Sequence, residues 1–150
     1  MRADFTEKEA DLIRTYADLL CLKADPDRIL EEWERLCMEW ACERKYESLV
    51  SGKIIFLTDE EKKLLNKQME KTAEENVLAD MVLEEIGKKV TVNVEELQQE
   101  AEKIAKRQNI SLNEVYDFFG KDLSLLKKDL VAQKAILWMQ EHLQLAESIL

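Results

Sequence analysis

A single proline, three glycines and one histidine in 150 residues leave this chain few places to break a helix and little with which to hold a metal. Scarce backbone breakers argue against a loop-rich or turn-rich fold and favour long helices. The three cysteines, Cys21, Cys37 and Cys42, are odd in number and show no Cys-x-x-Cys spacing. That excludes a disulfide framework and a zinc site, and the expectation is reduced thiols buried as small hydrophobes. His142 stands beside Glu141 with neither a Glu-x-x-His nor a His-x-x-x-His partner, so it is expected to be structural. The chain also lacks a glycine-rich phosphate loop, a Gly-x-Ser-x-Gly elbow and any Ser or Cys constellation around a histidine. Glu84 and Glu85 are neighbours on a helix, where adjacent side chains diverge, so they do not make a catalytic pair. The reading is a protein without catalytic residues, metal or cofactor.

No apolar run approaches the roughly 18 residues that a membrane span requires, and the opening MRADFTEKEADLI is too acidic for a secretory signal. No membrane association and a cytoplasmic setting are the expectations. An excess of basic residues is missing as well. The net charge is −10, and residues 1–57, 58–92 and 93–150 each carry more acids than bases. Nucleic acid is recognised by clustered Lys and Arg, so it is not an expected partner, and a small patch at Lys103, Lys106 and Arg107 does not change that balance.

What the chain does have is amphipathic material: 46% hydrophobic and 36% charged residues. A chain of this length buries roughly 70% of the surface it would expose unfolded, enough for one ordinary domain. The class is all-α. Helix starts are marked by short polar signals. Thr6 precedes Glu9 at capping-box spacing and opens a helix to about Leu22, with Leu12, Ile13, Tyr16, Leu19, Leu20 and Cys21 on its buried side. Asp25-Pro26 opens a second helix to about Tyr46, because Pro suits the first helical position and the acid favours the positive end of the dipole. Ile29, Trp33, Leu36, Cys37 and Trp40 recur there at spacings of three and four, placing them on one stripe.

Residues 49–57, LVSGKIIFL, read as a connector with some extended character. Thr58 with Glu61 caps a third helix that is expected to end at Gly87 as a left-handed cap. Its apolar positions are Leu65, Met69, Ala73, Ala79, Leu83 and Ile86, widened near the end by Leu78, Met81 and Val82. The β-branched Val90-Thr91-Val92 interrupts helix, and Asn93 with Glu96 caps a fourth reaching about Gln108, where Asn109 supplies a left-handed turn. Ser111 and Glu114 cap a short fifth helix bearing Val115, Tyr116, Phe118 and Phe119, which stops at Gly120. A sixth starts near Asp122, carries Leu123, Leu126, Leu130, Val131, Leu137, Trp138 and Leu143, and is long enough to lie back along the third.

The order of these fragments from Thr58 to Gln144 resembles the C-terminal chaperone domain of the bacterial trigger factor family. Residues 82–86 (VLEEI), 90–97 (VTVNVEEL), 99–105 (QEAEKIA), 115–119 (VYDFF) and 134–137 (KAIL) stand where that family has a long helix ending in a Leu-Glu-Glu-Ile-like turn, a short β-branched segment, an Ala-Glu-rich helix, a short aromatic helix and a final Leu/Ala-rich helix. The resemblance covers about the last 90 residues. It divides the chain into residues 1–57, an N-terminal helical hairpin and connector, and 58–150, the trigger factor-like region, with one continuous domain 1–150 as the expectation. A similar helical core occurs in the periplasmic chaperone SurA, but the absence of a secretory signal makes that setting less attractive.

The resemblance implies an elongated all-α domain with helical hairpin arms that holds unfolded or nascent polypeptide, without ATP, in an apolar crevice between helices. No Gly-Phe-Arg loop and no β-rich prolyl isomerase segment are present, so ribosome docking and isomerase activity are not carried over. The candidate client-binding residues are Trp33, Trp40, Phe118, Phe119, Trp138 and Met139. Aromatic residues at helical spacing most often fill a core, so Trp33 and Trp40 read first as packing residues. Of Phe118 and Phe119, one ring is expected to anchor the hairpin and the other to be free. Trp138-Met139 is the expected exposed apolar step, since adjacent helical positions cannot both face one core. A second reading, a helical adaptor that binds one folded partner or self-associates as a homo-oligomer, uses the same apolar stripe.

Overall fold

A computed structural model describes residues 5–54 and 56–149. Six helices follow one another: α1 (Glu7–Leu19), α2 (Pro26–Ser51), α3 (Asp59–Gly87), α4 (Val94–Gln108), α5 (Leu112–Phe119) and α6 (Ser124–Ile149). Among the described residues there is no strand, and the fold is all-α. Ile55, part of the expected connector, lies outside the described residues.

Local chemistry sets most of the boundaries. The Glu9 amide donates to Thr6 Oγ1 at 3.1 Å, the Asp27 amide to Asp25 Oδ1 at 3.1 Å and the Glu96 amide to Asn93 Oδ1 at 2.8 Å. Each satisfies one of the donors that a helix start leaves without an internal acceptor. Ser111 and Glu114 form the full reciprocal box, with amide-to-side-chain distances of 3.2 and 3.1 Å. At Thr58 the hydroxyl accepts from the Glu61 amide and also lies 3.1 Å from Glu61 Oε1. Only half of the expected box forms there.

Helix ends depart more from expectation. α1 stops at Leu19, short of Leu22, because Cys21 turns left-handed at φ 53. The Leu22 amide then donates to the Ala17 carbonyl at 3.0 Å and the Cys21 amide to Asp18 at 3.1 Å, a Schellman closure. The expected burial of Leu19, Leu20 and Cys21 is therefore corrected: all three are exposed at the C-terminal end of α1, where the left-handed Cys21 redirects the chain. Asn109 makes the same closure for α4 at φ 54, as its sequence suggests. α2 runs past Tyr46 to Ser51, absorbing the start of the expected connector, and ends at left-handed Gly52 (φ 70).

Gly87 is not the left-handed cap that was expected, but the last helical residue of α3. Its missing side chain serves a close approach instead, since a Cβ there would lie 2.9 Å from Val131 Cγ1 of α6. α6 thus does pass the end of α3, as its length suggests. Leu123, immediately before α6, holds φ 57 while its side chain is buried, so packing keeps a branched residue in a conformation that glycine favours.

The chain packs as two compact units, Met1–Val82 and Leu83–Leu150, with the division inside α3. In the first, the buried apolar residues are Ala10, Leu12, Ile13, Tyr16 and Ala17 of α1 with Ala73, Val77, Ala79 and Val82 of α3. In the second, Leu97 and Ala101 of α4, Val115 of α5, Leu123 and Leu126 form a sealed cluster, flanked by Val92, Ile104, Tyr116, Phe119 and Leu130. Lys134 fastens the Val90–Val92 break to α6. Its ammonium donates to the Thr91 carbonyl at 2.7 Å and pairs with Glu96.

Candidate functional site

In the first unit, residues 26–72 contain no fully buried side chain among those described, although two tryptophans and a long apolar stripe lie there. α2 and α3 run antiparallel: Glu32 meets Asn76, and further along α2, Cys37 meets Met69. The contact is thin. Ile29, Trp33, Leu36, Cys37 and Trp40 form the stripe that the periodicity predicts, and each is only half-buried. α1 and the second half of α3 contribute buried side chains, whereas α2 contributes none.

The result is an open groove of about 670 Å³ between α2, the connector and the first half of α3. Trp40 and Cys37 form one wall, Leu65 and Met69 the other, and Phe56 stands at the connector end with 85% of its surface exposed. The Cys37 thiol lies 3.6 Å from the Met69 thioether, a soft and adaptable contact on the floor. A smaller groove of about 280 Å³ lies across the ridge of Trp40, Leu65 and Met69, and Glu39 and Glu43 line it. The Arg44 guanidinium sits 5.4 Å from the Trp40 ring centroid and pairs with Glu47 at 2.9 Å, steadying the indole.

A polar clamp holds the two helices on the side away from the connector. Arg35 donates three hydrogen bonds to Glu32, at 3.1, 3.2 and 2.6 Å, and a fourth to Glu39 at 2.7 Å. The Glu32 hydrogen bonds and charge, with those of Glu39, push the Arg35 guanidinium still further above its ordinary range. Glu32 also accepts from the buried Asn76 amide at 3.2 Å, which leaves Asn76 Oδ1 with no partner among the described residues. Trp33 adds a further tie, donating through Nε1 to Asn66 Oδ1 at 2.9 Å.

Of the six residues expected to touch clients, Trp33 and Trp40 lie on this α2 face, and Trp40 lines both grooves. Phe118 and Phe119 meet edge to face with centroids 4.9 Å apart. Phe119 packs on the sealed cluster and Phe118 is 74% exposed, the division of labour that their adjacency suggests. Trp138 is half-buried, stacked on His142 at 3.7 Å with the Lys89 ammonium 5.7 Å from its ring centroid. The exposed step expected at Trp138-Met139 is corrected at Met139, which is fully buried in the second unit. The helical turn sends the two neighbours to different surroundings, and Met139 takes the inner one. Burial of all three cysteines is likewise corrected: Cys21 and Cys42 are exposed and Cys37 is intermediate.

The exposed apolar residues at the connector end were missed by the periodicity. Tyr46, Leu49, Val50, Ile54 and Phe56 are each at least 69% exposed. A signal did exist, since these residues lie off the α2 stripe and beside a glycine, where no core face is available to them. Among the described residues no group of three or more His, Cys, Asp or Glu is placed to hold a metal, and no helix is long and apolar enough to cross a membrane.

Residues 27–141 match the family described as bacterial trigger factor protein (TF) C-terminus. The chain is also 35% identical over 80 residues to the trigger factor of Geobacillus thermodenitrificans, an alignment covering 52% of this chain and 18% of the relative. The matched stretch is thus about a fifth of that relative's length. No solved structure matches. The match spans α2 to α6, including both walls of the groove and the sealed α4–α6 cluster, and on that extent the chain belongs to the bacterial trigger factor C-terminus family.

Proposed function

We propose that this chain is an ATP-independent chaperone domain of the bacterial cytoplasm that holds unfolded or nascent polypeptide in the groove between α2 and α3. The observation that carries the reading is the unsealed stretch 26–72, which presents Trp40, Leu65, Met69 and Phe56 around an open volume of about 670 Å³. A folded monomer gains nothing in stability by leaving such side chains half in water, and contiguous apolar surface of this kind marks a binding site. Met, Leu and aromatic side chains re-pack against many sequences, which suits a partner without fixed structure. Membership of the trigger factor family supports the same role.

Trp33 belongs to this surface through its place on the α2 stripe, and the exposed Tyr46, Leu49, Val50 and Ile54 extend it toward the connector. In the second unit, Phe118 offers an exposed ring, and Trp138 a half-buried one. Burying about 400 Å² of apolar client surface contributes on the order of 10 kcal/mol before ordering costs, and those costs cancel most of it. Binding is therefore weak, reversible and spread over several contacts.

The test is light scattering of two unrelated, chemically denatured proteins diluted with and without the chain, beside Trp40→Ser and Phe56→Ser variants of unchanged helicity. Suppression of both aggregations, weakened by either variant, is the expected result. No suppression at several-fold excess would remove the chaperone reading and leave an adaptor for one folded partner.

A further inference from the structure

We propose that the α2–α3 groove is charge-selective, taking apolar polypeptide segments flanked by carboxylates in preference to those flanked by lysine or arginine. The proposal rests on the polypeptide-binding reading and specifies which segments the same groove takes. Its basis is the sign of the lining: among the described residues the groove's charged side chains are Lys62 and Lys63, and no carboxylate lines it. Both lysines are exposed, and neither has an ion-pair partner among the described residues. A lysine lining an apolar groove can lay its alkyl stem on the wall and keep its ammonium group in water, where it meets a charge beside a bound apolar side chain.

No nearby acid pairs with either lysine among the described residues: Asp59 and Glu60, in the preceding turn of α3, are exposed and form no ion pair with them. Glu61, just before the pair, is held against the Thr58 hydroxyl at 3.1 Å. Glu39 and Glu43 lie in the smaller groove beyond the Trp40 ridge, and Glu39 is paired with Arg35. The two sides of that ridge thus carry opposite signs. The chain's net charge of −10 works against an acidic segment at long range. At physiological salt, however, charges are screened beyond about 8 Å, so the groups within contact distance decide the preference.

The deciding experiment is fluorescence anisotropy of three labelled synthetic peptides that share one Leu/Phe core and are flanked by Glu, Gln or Lys, measured at about 0.15 M salt. The titrants are the full chain, a Lys62→Glu/Lys63→Glu variant and the milder Lys62→Gln/Lys63→Gln variant, each checked for helicity. Two exposed attractions replaced by two repulsions predict that the Glu-flanked peptide binds on the order of tenfold tighter than the Lys-flanked one. The order reverses in the Glu variant, the difference vanishes in the Gln variant and at about 1 M salt, and the Gln-flanked peptide binds all three proteins alike. Equal binding of the three peptides to the unaltered chain, or a preference for Lys flanks, would overturn the charge selection and leave polypeptide binding standing. A preference that survives both variants would also overturn it, by placing the selection elsewhere. Binding of none of the peptides would overturn both readings.

Discussion

The α2–α3 pair of the first unit and the α4–α6 cluster of the second are built from similar amphipathic, charge-rich sequence, yet one stays open and the other is sealed. α4 meets two other helices, so Leu97, Ala101 and Val115 disappear from solvent. α2 meets α3 through Trp33–Asn66, Cys37–Met69 and Glu32–Asn76, and none of its residues is buried. The lesson is that apolar periodicity specifies a face, whereas burial requires a second layer to cover it. In a protein that binds through apolar surface, the uncovered face is the useful one.

The largest expected effect comes from breaking the sealed side. Val115→Asp puts a carboxylate where no water or partner reaches, and should destabilise the second unit by about 3–5 kcal/mol. Hydrogen exchange is the check: amide protection should fall in α4, α5 and the first turns of α6. If α2 loses protection equally, the contrast between an open and a sealed unit is not one of separate stability.

On the open side, the polar clamp substitutes for a core. Glu32→Ala strands the buried Asn76 amide and leaves Arg35 with Glu39 alone, and should cost about 1–3 kcal/mol in urea denaturation. A change smaller than about 0.5 kcal/mol would show that apolar contact alone sets how α2 meets α3.

Gly87→Ala sharpens the comparison at the close contact of α3 with α6. Helix propensity favours alanine by about 1 kcal/mol, but the new Cβ meets the stiff Val131 side chain, and overpacking of that kind costs about 1–3 kcal/mol. Net destabilisation is expected, with recovery when Val131→Ala is added. A double-mutant cycle measures the coupling, and additivity would show that the contact yields freely.

The smallest effect belongs to the turn after α1. Cys21→Gly relieves a left-handed backbone without losing buried surface, and should stabilise by about 1 kcal/mol. Thermal unfolding would register this as a higher midpoint. An unchanged or lower midpoint would mean that the thiol makes up for the strained backbone.

The helix starts were legible because a cap is a hydrogen bond spanning two or three residues. Thr6, Asp25-Pro26, Thr58, Asn93 and Ser111 each begin a helix where their side chains say they should. The candidate site was legible only in part. The α2 stripe, including Trp33 and Trp40, was readable as a face, and the pairing of one anchored with one exposed phenylalanine followed from adjacency. Phe56 and the apolar residues from Tyr46 to Ile54 were not, because their role depends on where the connector places them beside α3.

Sequence by itself determined the all-α class, five of the six helix starts and the apolar faces, since those follow from short-range hydrogen bonding and from the 3.6-residue period. Only the tertiary structure decided which faces were covered. It buried Met139, turned Gly87 from an expected cap into a close contact, left Leu19 to Cys21 in water and kept the α2–α3 groove open. Those outcomes depend on whether a segment distant in sequence arrives to complete a layer, and a local pattern carries no record of that arrival.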